Sequence, residues 1–143
     1  MAIIDSFRGE YGFLSNFHKS RVEFEGMAYP SAEHAFQAAK NPDPEYRSLI
    51  ASVSSPVTAK RMGKKTQLRP DWEEVKDGIM YELLKSKFSD PVLREKLLAT
   101  GEAELIEGNN HWDRFWGVCR GEGLNKLGKL LMQVREELNN ENN

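Results

Sequence analysis

The sequence predicts an α+β fold: one mixed domain over residues 1–138, mostly helical with a small sheet, followed by a frayed polar tail at 139–143. Three observations carry this. Long segments repeat apolar residues at helical spacing, while the strand-like stretches are short. A chain of 143 residues with 39% hydrophobic composition can bury one sizeable core but has little room for a second full domain.

In chain order, Ala2 to Ile4 and Arg21 to Phe24 read as short strands, and Glu25-Gly26 offers a turn before Met27 to Tyr29. Ser31 can cap a helix over residues 32–40, where Ala32, Ala35, Ala38 and Ala39 favour helix and permit close packing. Asn41-Pro42-Asp43-Pro44 stops it, Glu45 to Ser52 can form another, and Pro56 opens a third that Gly63 ends. The strongest helix runs from Asp71 to Phe88: Asp71 with Glu74 resembles a capping box, and Trp72, Val75, Ile79, Leu83 and Leu84 form a core stripe. Pro91 starts a helix that ends near Thr100-Gly101, Leu105-Ile106 reads as a short strand, and Gly108-Asn109-Asn110 as a turn. A last helix from Leu124 to Leu138 buries Leu127, Leu130, Leu131, Val134 and Leu138, after which the tail frays.

Composition narrows the function. A formal charge of −2 argues against a protein held on nucleic acid by bulk electrostatics, although a local basic groove escapes that average. The chain has no apolar run of about 18 residues and its start lacks secretory-signal regions, so no membrane partner is expected. One cysteine, Cys119, cannot build a disulfide framework, which makes a cytoplasmic setting the simplest. His18, His34 and His111 lack ligand spacing with that cysteine, so no metal site is expected.

Polar chemistry concentrates in three places. On the helix at 31–40, Glu33, Gln37 and Lys40 follow the four-plus-three spacing of one helical face, although about 10 Å of axial rise separates Glu33 from Lys40. His34 points about 100° around the helix and suits a buried, hydrogen-bonded role. The competing reading is an alanine-rich surface helix with ordinary charges. The opening segment Arg8 to Phe17 combines Phe13 and other aromatics that can stack on a planar base with Asn16, which can read an edge; a core plug with tight glycine turns is its alternative. Third is His111-Trp112-Asp113-Arg114-Phe115-Trp116-Gly117, in which Asp113 sits between two indoles and Arg114 can neutralise it or bind an anion. At least one of Trp112 and Trp116 suits a core anchor. The loop that follows, Arg120 to Gly128, can receive phosphate at a helix start, assisted by Arg120 or Lys126, yet it matches neither glycine-rich nucleotide fingerprint.

These pieces together resemble the NADAR family, which includes riboflavin-intermediate N-glycosidases and guanine ADP-ribose hydrolases. The likeness rests on the order and spacing of Tyr11 to Phe17, Tyr29 to Lys40, Ser54-Ser55-Pro56 through Gly63, and Leu68 to Trp72. It continues through Lys85 to Phe88, Asp113 to Gly117, and Gly121 to Gly128 followed by Leu130-Leu131-Met132. The resemblance implies a compact mixed fold and cleavage of an N-glycosidic bond between ribose C1 and a base nitrogen. The substrate is then ADP-ribosylated guanine, free or in nucleic acid, or a ribosylaminopyrimidine phosphate, and no cofactor or metal is required. Carried onto this chain, it implies catalytic roles for Glu33, Lys40 and Asp113. Trp72 becomes a substrate-facing tryptophan, Phe13, Asn16 and Trp116 shape the pocket, and Asn125 joins the substrate-binding set. Arg8, Arg61, Arg114 and Lys126 are anion contacts of lower rank. The opening loop, the Glu33–Lys40 helix and the Asp113–Trp116 loop are expected around one polar cleft. Cys119-Arg120 departs from the more glycine-rich connection of the riboflavin-associated proteins, which leaves substrate choice open.

Two routes fit that chemistry. A carboxylate, Glu33 or Asp113, can stabilise oxocarbenium-like charge or position water. Alternatively Lys40, held neutral by desolvation or neighbouring cations, attacks C1 to give a Schiff base while Glu33 shuttles protons. A non-catalytic ADP-ribose or nucleotide-binding module, and a structural domain that joins partners, are the other classes.

Overall fold

The computed structural model describes residues 2–142, so Met1 and Asn143, the first residue of the expected domain and the last of the expected tail, lie outside the described residues. In chain order the elements are β1 (Ile3–Ile4), a 3-10 helix (Gly9–Leu14), β2 (Val22–Phe24), β3 (Met27–Tyr29), α1 (Ala32–Ala39), α2 (Pro44–Ser52) and α3 (Pro56–Lys65). There follow α4 (Trp72–Lys87), α5 (Pro91–Ala99), β4 (Glu104–Leu105), β5 (Gly108–Asn109), β6 (Val118–Cys119) and α6 (Lys126–Glu141). This is the expected α+β class, mostly helical, with the strands in two-stranded pairs. The chain divides into two compact units, Asn16–Lys87 and a second that combines the segment up to Ser15 with the segment from Phe88 on.

In the Asn16–Lys87 unit, β2 and β3 form an antiparallel hairpin with Val22 opposite Tyr29 and Phe24 opposite Met27. Its turn is Glu25-Gly26, both left-handed (φ 47° and 84°), as a two-residue type I′ connection requires. All eight residues of α1 are buried, and α2, α3, α4 and both hairpin strands pack on it. The surface-helix alternative is therefore excluded: its alanines serve close approach by three neighbouring helices. Local signals start the helices as expected. Ser31 accepts from the His34 amide, Asp43 caps α2 and Ser55 caps α3, the last two followed by Pro44 and Pro56.

Two local readings are corrected. Gly63 does not end α3, which continues to Lys65; it is a buried interior residue facing Gln37 of α1. Asp71 does not build a capping box with its carboxylate, because Arg69 takes both oxygens at 2.6 and 3.1 Å, and α4 begins one residue later.

In the other unit, β1 pairs in parallel with β4, Ile3 opposite Glu104 and Ile4 opposite Leu105. The segment read as a turn at Gly108-Asn109 is instead β5, which pairs in parallel with β6. The opening segment, read without regular structure, forms the 3-10 helix and buries Phe13 and Leu14. Helix α6 packs on α5 and β4 and buries Leu127, Leu131 and Val134, with Leu130 and Leu138 half-buried. It starts at Lys126 rather than Leu124 because Asn125 is left-handed (φ 53°), and it runs past Leu138, so Asn139 to Glu141 of the expected frayed tail are helical. Among the described residues no helix is long and apolar enough to cross a membrane.

Candidate active site

Helix α1 holds the polar centre of the Asn16–Lys87 unit. Glu33 and Gln37, 8% and 4% exposed, lie one turn apart, and Gln37 Nε2 donates to Glu33 Oε2 at 2.8 Å. The Glu33 amide donates to the Asn16 carbonyl at 3.0 Å, which ties the end of the opening segment to the start of α1. Asn16 Nδ2 donates to Met80 Sδ at 3.5 Å, whereas Asn16 Oδ1 and Gln37 Oε1 are buried acceptors without a hydrogen-bond partner. Trp72 is buried against Phe36 of α1, ring centroids 5.0 Å apart. Glu33, Asn16, Lys40 and Trp72 are thus gathered on or against one helix.

Lys40 sits at the end of α1, where the last carbonyls of a helix need outside donors. Tyr46 Oη donates to the Gln37 carbonyl at 2.8 Å, Arg47 Nε is within 3.1 Å of the Ala38 and Asn41 carbonyls, and the Arg69 amide donates to the Lys40 carbonyl at 2.8 Å. This lattice holds the turn that carries Lys40. Burial lowers the Lys40 pKa below its ordinary value; the Glu33 carboxylate opposes that shift, and the charges of Lys60, Lys64 and Lys76 reinforce it. The result is an amine held toward its neutral form with a carboxylate acting on it.

His34 takes the buried role expected of it. Nε2–H donates to the Val53 carbonyl at 2.9 Å, which leaves Nδ1 to accept from the Ser31 hydroxyl at 2.7 Å. Burial lowers its pKa against that carbonyl hydrogen bond, so it stays a neutral strut.

Arg61 is placed differently from its expected partners. Ala59 and Gly63 are the buried residues of α3, and at 100° per residue Arg61 lies about 180° from the centre of that face, exposed to solvent. Sequence reasoning missed Lys60 and Lys64, on the flank of the same face, and Lys76 of α4. The signal that points to the two lysines of α3 is the small pair Ala59 and Gly63, four apart, which marks the side of α3 that approaches α1.

The remaining expected residues belong to the other unit. Phe13 is buried edge-on to Phe88 with centroids 6.5 Å apart, and Arg8 is exposed at the start of the 3-10 helix. Asp113 Oδ1 accepts from the Phe115 and Trp116 amides at 3.1 and 2.9 Å, so this carboxylate shapes its own loop. Trp116 is half-buried, edge-on to Phe115 at 4.8 Å, while Trp112 is 57% exposed and thus no core anchor. Arg114 lies 5.0 Å from the Trp112 ring and 3.4 Å from Glu122, and Lys126 Nζ lies 5.3 Å from the Phe115 ring. Asn125 has a framework job: its Oδ1 accepts from the Glu107 amide and its Nδ2 donates to the Leu105 carbonyl, each at 2.9 Å. Among the described residues no group of His, Cys, Asp and Glu is arranged to hold a metal ion.

Fold and site define a class: a small, mostly helical α+β protein whose buried central helix carries a hydrogen-bonded carboxylate and ends in a desolvated amine. The NADAR domain profile matches residues 5–139, and the chain belongs to the NADAR family. It is similar to N-glycosidase YbiA of Escherichia coli, 44% identical over 133 residues that cover 90% of this chain and 82% of that protein. It is also similar to an N-glycosidase of Nostoc punctiforme, 39% identical over 91% of this chain and 87% of that protein. A riboflavin biosynthesis protein of Vibrio vulnificus is 37% identical over 90% of this chain, which spans 36% of that longer protein. The solution structure of E. coli YbiA superposes with a TM-score of 0.87 at 42% identity, covering 99% of this chain and 87% of that one.

Proposed function

We propose that this protein is a hydrolase that cleaves the N-glycosidic bond between ribose C1 and a base nitrogen, with Lys40 as nucleophile and Glu33 as its proton partner. One observation carries the reading: Lys40 is desolvated at the end of the helix on which Glu33 is buried and hydrogen-bonded. Burial holds the Lys40 amine toward its neutral form, and in the proposed cycle the proton for the leaving base is carried by Glu33. Lys40 Nζ attacks C1 as the bond to the base breaks, and the departing nitrogen takes the Glu33 proton. Glu33, now ionised, takes a proton from the attached nitrogen and passes it to the ring oxygen as the C1–O bond breaks, which opens the ribose to a Schiff base on Lys40. Glu33 accepts a proton from the water that adds to C1, and collapse releases the sugar and restores the amine. The substrate is ADP-ribosylated guanine or a ribosylaminopyrimidine phosphate, the second in keeping with the relative named for riboflavin biosynthesis.

Lys40→Ala is expected to stay folded and to lose at least about 10²-fold in base release. Lys40→Arg is expected to fail as well, because a guanidinium keeps the charge without supplying the nucleophile. Borohydride added during turnover should trap a ribosyl adduct on Lys40, read by mass spectrometry. Near-normal activity in Lys40→Arg with no adduct would transfer the reaction to Glu33 and water. Both substrates are assayed side by side; binding of either with no base release from both would make the protein a nucleotide-binding module.

A further inference from the structure

We propose that Lys60 and Lys64 of α3 form an anion subsite beside Lys40 that holds the phosphate of the ribosyl substrate, an inference that rests on the reading of Lys40 as the reacting amine. The roll of α3 supports it. Gly63 approaches Gln37 so closely that a Cβ there would lie 1.8 Å from Oε1, which sets this face of α3 against α1. With Ala59 and Gly63 facing α1, Lys60 and Lys64 follow about 80° and 120° from the centre of that face, on the same flank, whereas Arg61 is diametrically opposed. That flank lies toward the end of α1, since the charges of both lysines act on Lys40.

Charge balance points to the ligand. Lys76 has a carboxylate partner, Glu73 at 2.8 Å, but among the described residues neither Lys60 nor Lys64 is in an ion pair. Lys60 Nζ instead lies 6.0 Å from the Phe17 ring. Lys60 and Lys64 thus bring two positive charges to bear on Lys40 with no carboxylate of the described residues in ion-pair range of either, and like charges held together repel unless an anion completes the group. Ammonium groups on flexible stems suit a phosphate, which accepts from several donors at once. The same chemistry serves a phosphate monoester on ribose or the pyrophosphate of an ADP-ribosyl group.

The test uses inorganic phosphate and pyrophosphate as probes, titrated calorimetrically into the wild-type chain and into Lys60→Gln/Lys64→Gln, with Arg61→Gln as control. All three proteins are first checked for native circular dichroism and thermal unfolding. The proposal expects at least a tenfold weaker affinity in the double variant and no change in Arg61→Gln. Tighter binding of pyrophosphate than phosphate identifies the ADP-ribosyl source, and equal or weaker binding the monoester. Wild-type affinity in the folded double variant, or an equal loss in Arg61→Gln, overturns the subsite. Because these titrations need no turnover, they stand apart from any failure of Lys40 to act as nucleophile.

Discussion

Replacing Gly63 by alanine probes the tightest contact around Glu33. The new Cβ would lie 1.8 Å from Gln37 Oε1 and 2.7 Å from its Cδ, about 1.6 Å short of the ordinary 3.4 Å contact at the oxygen. Either the Gln37 amide turns away and gives up its 2.8 Å bond to Glu33, or α3 backs off α1. The first course sacrifices a buried hydrogen bond to a carboxylate, worth about 1.5–3 kcal/mol. The second is overpacking, typically about 1–3 kcal/mol. Alanine recovers only about 1 kcal/mol as the better helix former. The expected result, by loss of the hydrogen bond, is a net loss of about 0.5–2 kcal/mol in urea unfolding and at least a tenfold fall in base release, since Glu33 loses its orienting donor. In Gly63→Ala/Gln37→Ser the clash is relieved, so stability should exceed the sum of the two single effects by about 1 kcal/mol while activity stays low. Gly63→Ala within about 0.5 kcal/mol of wild type at full activity, or strict additivity in the double variant, would refute the reasoning.

Three further outcomes follow. Base release should fall at high pH as the Lys40–Glu33 pair gives up the proton that Glu33 must donate, with a midpoint below the ordinary lysine value of 10.5; Lys60→Gln should move that limb to higher pH by removing a cation that lowers the Lys40 pKa, and an unmoved pH–rate profile would count against it. Lys87 is fully buried, and burial pushes its pKa down to about 7. Between about pH 7 and 10.5 the unfolded chain therefore holds more protons, and stability should climb with pH; urea unfolding at pH 6.5 and 9 should show the rise in wild type and not in Lys87→Met. Asn125→Ala should cost about 2–4 kcal/mol, because it strands the Glu107 amide and the Leu105 carbonyl and forces alanine into a left-handed backbone. A normal unfolding curve with only a raised KM would show instead that Asn125 serves the substrate.

Features decided within a few residues were legible in the sequence. Ser31, Pro44 and Pro56 announce three helix starts through caps and first-turn prolines, and Glu25-Gly26 announces the hairpin, because each signal acts on its own turn of backbone. The order of the motifs likewise led to the family, and the spacing of Glu33, Gln37 and Lys40 to one helical face. What depends on segments distant in sequence was not legible. Two-residue strands such as β4 and β5 exist only because β1 and β6 come alongside, and no periodicity develops over two residues. Gly63 reads as a helix end from propensity alone, yet it is retained inside α3 because only a missing Cβ lets Gln37 fit. Lys40, Lys60 and Arg61 are equivalent cations in the sequence; in the packed helices the first is half-buried, the charge of the second bears on it and the third is exposed to solvent. Residue types and their local periods thus came from the sequence, while burial, and with it the chemistry of each charge, was decided by how the helices pack, since desolvation depends on neighbours that the local sequence does not name.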